Sequence, residues 1–336
     1  MTEPASRAVR PGRPRVLLSA HTRALLGERI AADHFDLLAL EDVAPDPAAT
    51  VDVVFISRDI TGRSSKTVHT PMLEACLGVI RRSPQLAWVH THSAGADRPI
   101  YPELRARGVL VSTSSGANAK VVAQTALAAL LALSRRFPAL MAAQAQRRWA
   151  PLVDGPLPRD LAGQTVVLLG WGPIAQTLQP LLAALGLHTV VVRRSGSPAA
   201  AGLETVGFER LHSVLPRADW LVLACPLTPQ TQGLIDAAAL RLLPPGAQLI
   251  NVARGEVVVE ADLIAALQAG MLAGAFLDVF AQEPLPPASP LWALPGVMLT
   301  PHAAGHSDGN EARVAHIFLA NLHRWQQGLP LQNAVT

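Results

Sequence analysis

Three segments in the second half of the 336-residue chain carry an Arg, a Glu and a His in settings suited to acid–base work on an oxygen. They are Asn251-Val-Ala-Arg254-Gly255-Glu-Val-Val, Asp278-Val-Phe-Ala-Gln-Glu283-Pro-Leu-Pro and Thr300-Pro-His302-Ala-Ala-Gly305. Each follows a short apolar run, so each is expected at the carboxyl end of a strand, the edge at which open α/β sheets bind ligands. The three side chains make chemical sense for a 2-keto or 2-hydroxy acid. Arg254 holds a carboxylate or carbonyl oxygen, His302 exchanges the hydroxyl proton, and Glu283 pairs with the other imidazole nitrogen, fixing the ring and favouring the imidazolium. An isolated histidine is more often structural, and it is the surrounding Thr-Pro-His-Ala-Ala-Gly that favours catalysis for His302.

A second constellation precedes these. Gly170-Trp171-Gly172-Pro173-Ile174-Ala175 stands between the apolar run Thr165–Leu169 and a helical segment reaching Leu185, which is a GxGxxA loop in the context its chemistry requires. The first glycine makes the tight turn, the second lets backbone approach a pyrophosphate on the helix N-terminus, and the small Ala175 packs helix on strand. The next strand should end on an acid if it is to read an unsubstituted adenosine ribose. Here Val190-Val-Val192 runs into Arg193-Arg194-Ser195, and two guanidiniums and a hydroxyl suit a 2′-phosphate, so NADP(H) is expected over NAD(H). Pro180 lies inside the helix after the glycine loop and predicts a kink there.

Elements that could position these residues alternate along the chain as short apolar runs and helical spacings, the pattern of a parallel α/β sheet. Before residue 115 the runs Val16–Ser19, Val51–Ser57, Leu86–Thr91 and Val109–Ser112, with helices near Arg23–Ala32 and Pro71–Arg81, predict four or five strands of a flavodoxin-like unit. A long Ala/Leu-rich helix is expected over Asn118–Gln146, followed by a Pro/Gly boundary. Then Thr165–Leu169, His188–Val192, Trp220–Ala224, Gln248–Asn251, Ala273–Leu277 and Val297–Thr300 predict six strands, the dinucleotide-binding arrangement. The expected division is a substrate domain over 1–117 and 306–336, including a return helix near Asn310–Gln327, with a cofactor domain inserted over 118–305. The whole is two doubly wound parallel-sheet α/β domains.

Composition narrows the partners. Half of the residues are hydrophobic, which suits packed cores and not a disordered chain. Arg7, Arg10, Arg13 and Arg15 less Glu3 account for the whole net charge of +3, so the body is balanced and offers no broad nucleic-acid face. Residues 1–14 are expected to be disordered. The longest apolar run, about Thr125 to Leu133, is too short to span a bilayer. Cys76 and Cys225 lie far apart with no metal-ligand spacing, so no metal is expected, and a reducing, cytoplasmic compartment is.

Taken together, GWGPIA, CPLTPQTQGLID, NVARGEVV, LDVFAQEPLP and TPHAAG resemble, in order, the D-isomer-specific 2-hydroxyacid dehydrogenases, the family of glyoxylate/hydroxypyruvate reductases, phosphoglycerate dehydrogenase and formate dehydrogenase. In the first unit the resemblance rests on His92-Ser-Ala-Gly95-Ala96-Asp97 and on Ser115-Gly-Ala-Asn118, and the family's usual Glu is replaced by Gln124. It implies that Arg254, Glu283 and His302 are the catalytic set and that backbone amides of Ala94, Gly95 and Ala96 bind the substrate carboxylate. It further implies that Val252 and Asp278 hold the nicotinamide carboxamide, that Cys225, Pro226, Leu227 and Thr228 line the cofactor ribose, and that Ala253 and Gly305 also belong to the cofactor site. Arg58 resembles, less closely, a substrate contact. The helix over 118–146 implies a homodimer, with Trp149 reaching the neighbouring subunit's site. His90 and His92 flank the substrate loop and are more often structural than functional in such a place.

Within the family, formate oxidation moves no hydroxyl proton and gives a Glu–His pair no task, and a chain ending soon after the return helix leaves no room for the regulatory domain of many phosphoglycerate dehydrogenases. The expected function is therefore reduction of a short 2-keto acid of the glyoxylate/hydroxypyruvate type to the D-2-hydroxy acid by NADPH. The alternatives are another keto acid, or a dehydrogenase-like nucleotide-sensing transcriptional corepressor, which shares the fold and the three residues.

Overall fold

A computed structural model of the chain describes residues 12–30, 33–64 and 68–335. The expectation of disorder over residues 1–14 falls mainly outside them. Two compact units are present, one within Met1–Asn118 and Ser307–Thr336, the other within Ala119–His306.

The first unit is a five-stranded parallel sheet of β1 (Arg15–Leu18), β2 (Asp36–Ala39), β3 (Val53–Ile56), β4 (Trp88–Thr91) and β5 (Leu110–Thr113), in the order β2-β1-β3-β4-β5. The strand Asp36-Leu-Leu-Ala was not among the four named runs: it is an edge strand whose first three residues are not buried, so it lacks a continuous apolar signature. The first helix is Ala20–Leu26, three residues earlier than its apolar spacing suggests, because Ser19 caps it by accepting from the Thr22 amide. The return helix Asn310–Gln326 buries Val314, Phe318 and Leu322 against this sheet, with Phe318 stacked 4.5 Å from Phe55.

The second unit holds seven parallel strands, one more than the six apolar runs. They are β6 (Thr165–Leu169), β7 (His188–Arg193), β8 (Glu204–Gly207), β9 (Trp220–Leu223), β10 (Gln248–Asn251), β11 (Gly274–Leu277) and β12 (Val297–Leu299), ordered β12-β11-β10-β9-β6-β7-β8. The extra strand, β8, is again an edge with only Val206 and Gly207 buried. Chain order reverses between β6 and β9, which puts the binding crevice of such a sheet at their carboxyl ends. β6 and β9 are buried almost throughout, as expected of strands covered on both faces.

Two helical expectations need correction. The helix expected over 118–146 is two helices, Ala119–Ser134 and Phe137–Ala145, bent by 70°. Pro138 cannot donate to the Ser134 carbonyl and Arg136 turns left-handed at φ 56°, so the first helix ends although the Ala/Leu spacing runs on. The helix Pro173–Ala184 conversely runs through Pro180 as one element. Among the described residues no single helix is long and apolar enough to cross a membrane. The bent pair passes that test only jointly, and its first member is buried on the second sheet.

Candidate active site

The Arg, Glu and His segments all leave the carboxyl edge of the second sheet, after β10, β11 and β12. Glycine at 255 lets two of them meet. A Cβ there would sit 1.9 Å from the Phe280 carbonyl carbon, so only glycine allows the segment carrying Arg254 to lie against the one carrying Glu283. Glu283 accepts from the Phe280 amide at 3.1 Å, and its other oxygen lies 2.8 Å from Nδ1 of His302. Burial pushes the Glu283 carboxyl up, but the hydrogen bond and charge of His302, the Phe280 amide and the charge of Arg254 outweigh it, leaving it below its ordinary value. Arg254 donates to the Ala253 carbonyl at 2.7 Å, which orients its guanidinium. The pair is half open to solvent, with the His302 side chain 49% exposed.

His302 itself is left-handed, at φ 52°, a conformation that costs a non-glycine residue energy unless its surroundings enforce it. Asp278 enforces it. One oxygen of this buried carboxylate accepts from Thr300 Oγ1 at 2.6 Å, the Ala303 amide at 2.7 Å and the Ala304 amide at 3.0 Å, while the Asp278 carbonyl accepts the His302 amide at 2.8 Å. Three charge-assisted bonds thus close the turn around the histidine. The resemblance gave Asp278 to the nicotinamide; its engagement with the 300–304 turn was not legible from the motif.

At the reversal between β6 and β9 lies a cavity of about 320 Å³ lined by Gly170, Trp171, Arg193, Arg194, Ser195, Phe208, Cys225, Pro226, Thr228 and Thr231. Among the described residues no acidic side chain lines it. Gly170 stands at φ 103°, and a Cβ there would meet the Ala224 carbonyl at 2.8 Å; one on Gly172 would enter open space. Ala175 is fully buried in the core beneath. The helix Pro173–Ala184 starts with no side-chain cap, which leaves its first-turn amides to a ligand. These features fit a pyrophosphate. Arg193 is the last residue of β7, paired with Gly207, and Arg194 is the first beyond it.

Leu227 and Ile174 pack against core clusters and do not line the cavity, and Pro173 is also outside its lining. Val252, Ala253 and Asp278 are buried at the strand ends and Gly305 is partly exposed. Burial pushes the Cys225 thiol up to about 12, so it is packing and not a nucleophile. Phe208 and Thr231 are lining residues that the sequence did not single out. Phe208 follows the unrecognised β8, whereas Thr231 had a signal in Thr228-Pro-Gln-Thr231, whose buried hydroxyl holds the loop by bonding the Pro226 carbonyl and the Thr228 amide.

In the first unit, the loop Ala94-Gly95-Ala96 follows β4 at the carboxyl edge of its sheet. Among the described residues its three amides donate no hydrogen bond within the chain. Arg58 opens the single helical turn after β3 and is exposed. Thr61 of that turn bonds the Arg58 carbonyl at 3.0 Å and His92 Nε2 at 2.9 Å, so the two loops are neighbours. His90 is completely buried between the hydroxyls of Ser112 and Ser114, and burial followed by the charge of His92 lowers it to about 3, so it is a neutral structural residue. Among the described residues no three His, Cys, Asp or Glu side chains gather into a metal-sized group.

Residues 127–304 match the family model of the D-isomer specific 2-hydroxyacid dehydrogenase NAD binding domain. The chain belongs to the D-isomer specific 2-hydroxyacid dehydrogenase family. It contains the NAD binding domain of that family within its second unit. The chain is 31% identical over 308 residues to a glyoxylate reductase of Korarchaeum cryptofilum, covering 88% of each chain. It is 35% identical over 286 residues to a D-3-phosphoglycerate dehydrogenase of Mycobacterium bovis, covering 85% of this chain and 51% of that one. The chain thus spans about half the length of the phosphoglycerate dehydrogenases it matches. Among solved structures, a family member from Xanthobacter autotrophicus in complex with NADPH aligns over 97% of this chain and 98% of that one, at 30% identity and TM-score 0.77. An NADPH-dependent glyoxylate/hydroxypyruvate reductase from Sinorhizobium meliloti in complex with NADP and malonate covers 97% of both chains at 29% identity and TM-score 0.73.

Proposed function

We propose that this dehydrogenase reduces a short 2-keto acid of the glyoxylate/hydroxypyruvate type to the D-2-hydroxy acid, with NADPH as its preferred cofactor. The observation that carries the reading is the Glu283–His302 pair at 2.8 Å, an imidazole oriented by a carboxylate and placed to give a proton to a forming alkoxide. Glu283 holds the proton on Nδ1, and Nε2 of His302 is then the atom that donates. Arg254 neutralises charge on the substrate's oxygens, and the backbone amides of Ala94, Gly95 and Ala96 take its carboxylate, with Arg58 as a further contact.

When bound, the cofactor supplies the hydride for C2. The open space at Gly172 and the uncapped helix suit its pyrophosphate, and Cys225, Pro226 and Thr228 its ribose. Arg193, Arg194 and Ser195, with no acid beside them in the cavity, suit a 2′-phosphate and support NADPH over NADH. Val252 and Asp278, buried at strand ends, are the residues proposed for the nicotinamide carboxamide. The proposed assembly is a homodimer, supported by the exposed apolar side chains Phe137, Met141 and Trp149. Two buried free cysteines suit a reducing, cytoplasmic setting.

The test is a panel of glyoxylate, hydroxypyruvate, its phosphorylated form and longer keto acids, each with NADPH and with NADH, followed by loss of reduced-cofactor absorbance. Turnover highest on a short unphosphorylated acid with NADPH is expected. No oxidation with any keto acid would remove the enzyme reading in favour of a nucleotide sensor, and a preference for NADH would remove the role given to the arginine pair.

A further inference from the structure

The peptide groups of the loop after β4 are held by their carbonyls. The Ser93 carbonyl accepts the Ser114 amide at 2.9 Å, and the Gly95 carbonyl accepts the Ser93 hydroxyl at 2.7 Å. Both peptides that follow are trans, and in a trans peptide the C=O and the next N–H point in opposite directions. Anchoring the Ser93 carbonyl therefore turns the Ala94 amide away from Ser114, and anchoring the Gly95 carbonyl turns the Ala96 amide away from Ser93. Two outward amides result from two inward carbonyls.

The anchor is itself braced from beneath by a chain of hydrogen bonds with one consistent direction. Trp88 Nε1 donates to Ser112 Oγ at 2.8 Å, and Ser112 Oγ lies 2.8 Å from His90 Nδ1. His90 Nε2 lies 3.0 Å from Ser114 Oγ, which donates to the Thr91 carbonyl at 3.0 Å. Since the Ser114 hydroxyl spends its proton on a carbonyl, it must accept from Nε2–H, and Nδ1 must then accept from Ser112. A neutral imidazole of one tautomer satisfies every partner. Thr91 completes the brace, its hydroxyl 3.1 Å from that of Ser93 and 3.4 Å from the Ser93 amide.

We propose that Ser93 is a positioning residue for substrate carboxylate recognition: its hydroxyl, beside that of Thr91, pins the Gly95 carbonyl and so presents the Ala96 amide to the anion, while the Trp88–Ser112–His90–Ser114 chain steadies Ser114, on which the Ser93 carbonyl is anchored. The proposal rests on the reading of the 94–96 amides as the carboxylate cradle. A carboxylate is common to every 2-keto acid, so Ser93 sets affinity for the whole class and leaves the choice among side chains to other residues.

The experiment compares the wild type with Ser93→Ala and Ser93→Thr by steady-state kinetics and by calorimetric titration of the NADP-loaded protein with oxalate, a carboxylate that cannot be reduced. Ser93→Ala should raise KM by about tenfold for short and long keto acids alike, with kcat changed less than about twofold, and should weaken oxalate by a similar factor. Ser93→Thr, which keeps the hydroxyl, should restore most of both, and thermal melting with NADP affinity checks the fold of each variant. Wild-type KM and oxalate affinity in Ser93→Ala, a fall in kcat alone, or no oxalate binding by the wild type would each overturn the proposal. A wild type that binds oxalate but reduces no keto acid refutes the proposed function, while oxalate weakened by Ser93→Ala still upholds the role of Ser93.

Discussion

At the scale of single residues, the site depends on one carboxylate keeping its charge and another keeping a turn closed. Glu283 lies below its ordinary 4.5 despite burial, so it is ionised at all pH values above that and its support for imidazolium disappears only as the pH falls further. Glu283→Gln removes the anion that orients the His302 ring through Nδ1. Keto-acid reduction at neutral pH should then fall by about 10- to 100-fold. Wild-type turnover in this variant would exclude Glu283 from supporting the proton donor. The pairing of Glu283 with His302 was legible from the two motifs, because both follow strands of one sheet. The left-handed φ of His302 and the three bonds from Asp278 were not, since a motif gives residue order but no backbone angle.

At the scale of elements, strand ends do the positioning. The reversal between β6 and β9 sets the crevice, and the end of β7 carries the arginines proposed to favour NADPH. Buried strands such as Thr165–Leu169 declare themselves as unbroken apolar runs, so the central sheet could be read directly. Edge strands do not: β2 and β8 each expose part of a four-residue span, and with β8 went Phe208, which lines the cavity at the β6–β9 reversal. Replacing Arg194 by Ala and Arg193 by Asp puts a negative charge at the strand end. NADPH should lose about 10- to 100-fold in kcat/KM while NADH changes little or improves, through repulsion of a phosphate and acceptance by a ribose hydroxyl. Equal losses for the two cofactors would show that the arginines serve the adenine or the fold and not the 2′-phosphate.

At the scale of the whole molecule, the two members of the bent helix pair differ in what they cover. Ala119–Ser134 spends its apolar face on the second sheet, whereas Phe137–Ala145 buries only Ala143. Phe137 and Met141 are one helical turn apart and 51% and 59% exposed, and Trp149, four residues beyond the helix, is 94% exposed. The sequence pattern alone merged the two helices, because Ala and Leu continue at helical spacing through the break. Pro138 was the available signal that one helix becomes two with different neighbours. Three such large apolar side chains exposed within thirteen residues suit an interaction surface, and the proposed symmetric self-contact would cover them. Light scattering should therefore give the mass of two chains. Met141→Glu combined with Trp149→Ser should give one chain, since each copy would place a carboxylate and a hydroxyl in an apolar contact made twice by symmetry. If Trp149 also completes the neighbour's site, the same variant loses keto-acid turnover while the isolated cofactor still binds. A double variant that remains dimeric at micromolar concentration would place the self-contact on another face.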